Sequence, residues 1–330
     1  MANGDQIKAM LRAYKDADEH QLLTLALQIA AREAKAGHNR LAGEIRDLVE
    51  QLKAHGPIVP KRQATPIVQP KGELADLVSV DYPDVRLDDL VLLPEVRHRL
   101  DRMMREQRQA GKIREFGLNP RGKLLFVGPP GTGKTMSAKA VAAELSLPLF
   151  TLRLESLFTR FMGEAAAKLK LIFENIQQVR GVYLFDEFDA IGQQRAAAND
   201  VGEIRRILNS FLQLVEQDQS NSVVIAATNH PELLDNALFR RFDDVLRFEM
   251  PSRDSLVELL KRRLARNAKS LDYEVLAAEA SGLSYADIQR ACDDALKDMI
   301  IVAHDHIAMH DMQLAIRERG DDRKTFSNPL

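Results

Sequence analysis

"KLLFVGPPGTGKT", residues 123–135, decides the fold. A short run that is apolar after Lys123 passes straight into a glycine-rich loop, and the loop opens a helical pattern, "KTMSAKAVAAEL" (134–145). Between a strand and a helix, the spacing G-x-x-x-x-G-K-[ST] is a phosphate cradle. Gly131, Thr132 and Gly133 let backbone N–H groups turn inward, and Met136 continues into the helix. Lys134 supplies a point charge toward the β- and γ-phosphates, and the Thr135 hydroxyl can reach Mg²⁺.

Two further runs complete the site. "VYLFDEFDA" (182–190) reads as a buried strand ending in Asp186 and Glu187, where the sheet meets solvent. Asp186 is placed to hold Mg²⁺, and Glu187 to orient and polarise an attacking water. "VVIAATNHP" (223–231) is a third buried strand with Asn229 at its exit. The Asn-His-Pro sequence makes a turn in its own right. It also aims the Asn229 amide at the γ-phosphate and the water. Runs without alternation of this kind belong to a parallel sheet covered on both faces.

The rest of the chain is ordinary for a soluble globular protein. It has 330 residues, a formal net charge of −2 and 28% charged residues, so its overall balance does not point to nucleic acid or anionic lipid. A single cysteine, Cys292, excludes an intrachain disulfide and sits at helical spacing with Ile288, Ala295 and Met299 as a small core hydrophobe. With no signal-type apolar segment and no run near ~18 apolar residues, the expected compartment is the cytoplasm, with no membrane span.

Residues 1–54 read as a small helical domain for binding a partner or substrate. Ile7, Met10, Leu11 and Tyr14 mark one face, Leu22 to Ala30 a second, and Leu41, Ile45, Leu48 and Leu52 a third; breaks fall at Asp18 and Gly37. Residues 55–77, with Pro57, Pro60, Pro66 and Pro70, read as an extended linker. The α/β pattern occupies 78–252, helical periodicity fills 253–318, and 319–330 is a polar tail.

At this point the residues resemble one family closely, the AAA+ ATPases, and within it the AAA clade of protein-remodelling rings. "GPPGTGKT", "LFDEFDAIG", "AATNHPELLD", "ALFRRFD" and "GLSYADI" follow that family's order over residues 85–318. The resemblance implies an α/β P-loop fold: a five-stranded parallel sheet of order 5-1-4-3-2 with a C-terminal helical lid. It implies Mg-dependent hydrolysis of ATP. Lys134 and Thr135 match Walker A, Asp186 and Glu187 Walker B, and Asn229 sensor 1. "LDDLVLL" (87–93) is similar to the adenine-contacting segment, which makes Leu90 and Val91 candidates.

The same resemblance makes Arg240 and Arg241 arginine fingers that reach the γ-phosphate of an adjacent subunit, and so implies a homo-oligomeric ring, most simply of six. A planar, permanently charged donor suits developing oxyanion charge. "TRFMGEAAAKLKLIFE" (159–174) is similar to a pore loop, with Arg160, Phe161, Met162 and Gly163 gripping a protein threaded through the channel. Leu169, Ile172 and Phe173 are expected in the core. One departure stands out: the lid motif is usually Gly-x-Ser-Gly-Ala-Asp, and Tyr285 replaces its second glycine, while Ala286 keeps the position against the nucleotide. The lid also lacks the sensor-2 arginine, so its nucleotide contacts should rest on Ala286 and nearby backbone.

The expected function is unfolding, threading or remodelling of proteins. Compact bacterial members of this type can be encoded beside a subtilisin-like serine protease in phage-defence modules, which implies such a protease as a partner. A microtubule-severing or membrane-complex-disassembling ATPase is the alternative. A nucleic-acid motor fits less well with the net charge and the Phe-Met loop.

Overall fold

Strands that are apolar on both faces must be covered on both faces, and here one sheet lies between two layers of helices. The structure is a computed structural model that describes residues 19–35, 37–54, 72–153, 165–188, 201–233, 239–265, 267–268 and 271–327. The chain divides into two units, Met1–Ile67 and Val68–Leu330.

In the first unit, α1 (Glu19–Lys35) and α2 (Asn39–Ala54) flank Gly37, whose φ of 87° ends α1 in the left-handed conformation. Ile29 and Ala30 of α1 are buried, as are Ala42 and Val49 of α2. Leu41, expected on the inward face of α2, is instead 46% exposed. Apolar side chains fill adjacent columns of this helix, and periodicity alone does not choose between them. Ile7, Met10, Leu11, Tyr14 and Asp18 lie outside the described residues.

The second unit opens with a short helix, α3 (Glu73–Leu77), running directly into strand β1 (Val78–Asp81). Residues 73–77 are expected to be linker. Leu77 is instead buried in the sheet's core, and β1 begins the fold as an antiparallel edge strand on β3 (Leu149–Arg153). A 3-10 turn, Leu87–Asp89, and helices α4 (Pro94–Arg108) and α5 (Ala110–Glu115) lead to β2 (Lys123–Val127). Then follow α6 (Lys134–Glu144), β3, α7 (Ala165–Gln178), β4 (Val182–Asp186), α8 (Val201–Gln217), β5 (Val223–Thr228) and β6 (Asp244–Arg247).

The sheet order is β1-β3-β4-β5-β2-β6, and every pairing except β1 with β3 is parallel. Without the edge strand this is the expected 5-1-4-3-2. Alternate residues of each strand face opposite layers. Leu125, Phe185 and Val224 pack with Leu169, Ile172 and Phe173 of α7 and Phe211 of α8. Leu124, Phe126, Leu184 and Ile225 pack with Leu100 and Met103 of α4 and Val141 of α6. The expected α7 core residues are therefore in place.

Helices α9 (Arg253–Leu264), α10 (Tyr273–Glu279), α11 (Tyr285–Ile301) and α12 (Met309–Ser327) form the lid, with a core of its own. Cys292 is fully buried there beside Ile288 and Ala295, and burial pushes its thiol up to about 12. The last helix runs to Ser327, so most of the expected polar tail is helical.

Candidate active site

In a parallel sheet the carboxyl ends of neighbouring strands converge, and the loops leaving them form a crevice. The ends of β2, β4 and β5 deliver Gly128–Thr135, Asp186–Glu187 and Asn229 to one cavity of about 500 Å³. Its opposite wall is the lid, from which Leu259, Arg263, Tyr285, Ala286 and Gln289 face inward. Leu90 and Val91 line it beside the 3-10 turn, and Gly131, Thr132, Gly133, Lys134, Thr135 and Met136 form its floor.

The side chains on that floor are tightly constrained. The Lys134 ammonium, nearly buried, donates to the carbonyls of Gly128 (2.7 Å) and Pro129 (2.8 Å) and to Asn229 Oδ1 (2.7 Å). Thr135 Oγ1 donates to Asp186 Oδ2 at 2.9 Å. A hydroxyl and a carboxylate in contact are hard oxygen donors, the set that suits Mg²⁺, which keeps several waters and takes one or two protein ligands beside phosphate. The site fits that ion, with Thr135 and Asp186 as the residues to hold it.

Glu187 is exposed and has a φ of 52°, left-handed for a residue with a side chain. Such backbone costs about 1–3 kcal/mol and persists only where its surroundings impose it. The neighbours on either side impose it here. Asp186 Oδ1 accepts the Glu187 amide (3.0 Å), and the buried Phe188 donates its amide to the Ala227 carbonyl (2.8 Å). Anchoring Phe188 in the core leaves the Glu187 carboxylate in the cavity.

The lid seats directly on the phosphate loop. The Ala286 amide donates to the Gly131 carbonyl at 3.2 Å, and Ser284 caps α11 through a reciprocal pair with Asp287. Arg262 ties α9 to the other wall by donating to the Asp88 carbonyl at 2.5 Å. Tyr285 keeps the helix start regular. Its ring is half-buried against the lid, and burial pushes its pKa up.

One expectation changes, and the arginine pair is placed away from its own cavity. The lid contributes more than Ala286 and backbone: Arg263, held by Asp293 at 3.1 Å, and Gln289 also line the cavity. Leu259 and Arg263 are four apart and share a helix face, but nothing in the sequence says that this face meets the nucleotide crevice. The arginine pair, by contrast, is not brought to the cavity. Arg240 and Arg241 are exposed and precede β6, whose first residue, Asp244, pairs with Leu124 at the start of β2. The phosphate loop leaves the other end of β2, so a four-residue pairing of roughly 13 Å lies between. The pair is firmly mounted: Phe242 is buried, Asp243 accepts the amides of Gly122 and Lys123 (both 2.9 Å), and Arg241 pairs with Glu216. Arg160, Phe161, Met162 and Gly163 lie outside the described residues.

Sheet order, phosphate loop and seated lid together define a P-loop nucleotide hydrolase. Residues 124–250 match the ATPase family associated with various cellular activities (AAA). Over 323 residues the chain is 34% identical to an uncharacterized AAA family ATPase, y4kL, of Sinorhizobium fredii, covering 98% of this chain and 97% of that one. The chain belongs to the AAA ATPase family, and it binds and hydrolyses ATP as a member of it. No helix among the described residues is long and apolar enough to cross a membrane.

Proposed function

We propose that this ATPase is the protomer of a ring, six-membered on the family resemblance, in which each active centre is completed by the neighbour's Arg240 and Arg241. Hydrolysis in that ring drives unfolding, threading or remodelling of protein substrates. The observation that carries the reading is the position of the arginine pair, at the far end of β2 from its own phosphate loop yet fixed on both sides. An exposed, anchored cation that cannot reach its own site is suited to serving another.

Within one protomer the roles follow from position. Backbone N–H groups at the start of α6 and the Lys134 ammonium hold the phosphates. Thr135 and Asp186 hold Mg²⁺, which when bound offsets charge on the β- and γ-phosphates. Asn229 fixes the water that attacks the γ-phosphorus, the Glu187 carboxylate accepts that water's proton, and the bond from the γ-phosphorus to the β,γ-bridging oxygen breaks to release ADP. The neighbour's guanidinium meets charge that develops on the transferred group, an effect worth about 10³–10⁵ in rate in other nucleotide hydrolases.

Mixing two inactive variants tests the split centre. Lys134→Ala lacks the cradle and Arg241→Ala the finger, so a mixed assembly regains interfaces with both intact. Partial recovery of phosphate release is expected, and none in mixtures shown to co-assemble would overturn the reading. A Glu187→Gln ring should hold ATP without turnover and retain its substrate. Capture of folded or unfolding proteins supports remodelling. A co-purifying subtilisin-like protease would assign the defence role, tubulin or a membrane complex the alternative, and stimulation by DNA would count against protein substrates altogether.

A further inference from the structure

The nucleotide cavity has a phosphate end, held by Lys134, Thr135 and Asp186, and a nucleoside end. Helix α11 measures the distance between them. Ala286 bonds the Gly131 carbonyl of the phosphate loop. Gln289 stands about 4.5 Å further along the helix, and Asp293, which holds Arg263 at 3.1 Å, about 10.5 Å along it. The opposite wall agrees. Arg262, next to Arg263 on α9, donates to the carbonyls of Asp88 (2.5 Å) and Leu90 (3.5 Å) at the 3-10 turn. Arg263, which lines the cavity, therefore faces the base and not the phosphates.

The polar groups at this end do not favour adenine over guanine. Arg263 donates to Asp293 and makes no other hydrogen bond among the described residues, so most of its N–H donors are left for a ligand. On the other wall Asp89 spends one oxygen on the Arg86 amide (2.8 Å) and keeps the second. The amino group of adenine needs an acceptor, yet the Asp88 and Leu90 carbonyls are already bonded to Arg262. Guanine presents O6 and N7 side by side, which matches the fork of an arginine, whereas adenine sets a donating amino group beside its N7. Guanine's N1–H and 2-amino group are adjacent donors, which suit a carboxylate.

We propose that the site takes GTP as a second substrate beside ATP, with Arg263 reading O6 and N7 of the base and Asp89 accepting from N1 and the 2-amino group. The inference rests on the nucleotide site already described and adds a substrate to it. The reaction is unchanged: water attacks the γ-phosphorus of GTP, its proton passes to the Glu187 carboxylate, and the bond to the β,γ-bridging oxygen breaks to release GDP and phosphate.

Competition against a fluorescent ATP analogue and steady-state phosphate release, both with the full chain and Mg²⁺, test it. GTP should displace the analogue and be hydrolysed with a kcat/KM within about tenfold of that for ATP, and CTP, which lacks N7, should fall at least about tenfold below GTP. Arg263→Ala should lower the GTP-to-ATP ratio of kcat/KM by about tenfold or more, chiefly through KM, as for loss of one bidentate contact. Arg263→Lys should not restore the ratio, because an ammonium has no fork. Asp293→Ala breaks the same exposed ion pair but leaves the guanidinium, so the ratio should stay within about threefold of wild type. Asp89→Asn should bring GTP down to the level of ITP, which keeps O6 and N7 but lacks the 2-amino group. If GTP neither displaces the analogue nor is hydrolysed while ATP is, the proposal is overturned and the ATPase stands. Equal losses for ATP and GTP in Arg263→Ala would also overturn it, since the guanidinium would then only brace the lid. A chain that binds neither nucleotide would overturn the ATPase reading and the proposal with it.

Discussion

The ammonium of Lys134 donates to the side-chain oxygen of Asn229 at 2.7 Å, joining the loops that leave β2 and β5. Two motifs far apart in sequence are thus one unit. Asn229→Ala leaves the lysine its two loop carbonyls, so ATP affinity should stay within about threefold while turnover falls about a hundredfold, as for loss of one oriented donor. Asn229→Asp should be worse in binding, because a carboxylate there pairs with the ammonium and repels the phosphates. Equilibrium binding of a fluorescent ATP analogue and steady-state phosphate release check both.

Gly128 and Gly131 should fail differently when replaced by alanine. A Cβ on Gly128 would stand 2.0 Å from the backbone oxygen of Phe248, which cannot move without disturbing β6. Gly128→Ala should destabilise the α/β layer by about 2–4 kcal/mol, seen as a fall in melting temperature. A Cβ on Gly131 would stand 2.3 Å from Ser284 Oγ, at the seat of the lid. Gly131→Ala should lift the lid and weaken ATP binding more than tenfold while changing the melting temperature less than Gly128→Ala.

Ser284 caps α11 and closes a reciprocal pair with Asp287. Ser284→Ala should cost about 1 kcal/mol, and thermal unfolding of the full chain reads it directly. Tyr285→Phe keeps the half-buried ring and removes only its hydroxyl, so it should change little. Tyr285→Gly should cost about 1–3 kcal/mol through lost burial and a looser helix start, which would show that the departure from the usual motif strengthens the lid.

Burial holds the Cys292 thiol up at about 12, against an ordinary 9.0. Thiolate is the reactive form, so iodoacetamide at pH 8 should leave the native protein unmodified and label it only after unfolding. The sign for stability follows. Above pH 9 the unfolded chain releases this proton and the folded one does not, so the thiol's contribution to stability falls as pH rises between those values. Denaturant melts at pH 8 and pH 10, compared with those of Cys292→Ala, isolate it.

The nucleotide machinery was readable because each part is contiguous: a strand, a loop and a helix start carry Lys134 and Thr135, and a single strand end carries Asp186 and Glu187. Hydrophobic runs also foretold the parallel sheet and the α7 core. The edge strand β1 escaped because Val78–Asp81 is only four residues long and follows a proline-rich stretch. The exposure of Leu41 escaped because neighbouring columns of α2 are both apolar.

By itself, the sequence determined the chemistry, since local spacing sets backbone geometry within a motif; the strand order was implied by the family resemblance. Only the tertiary structure decided that Arg263 and Gln289 reach the nucleotide cavity and that Arg240 and Arg241 stand a strand's length from it. Those facts depend on how the lid seats on Gly131 and how β6 registers on β2, and packing between distant segments leaves no local periodicity to read.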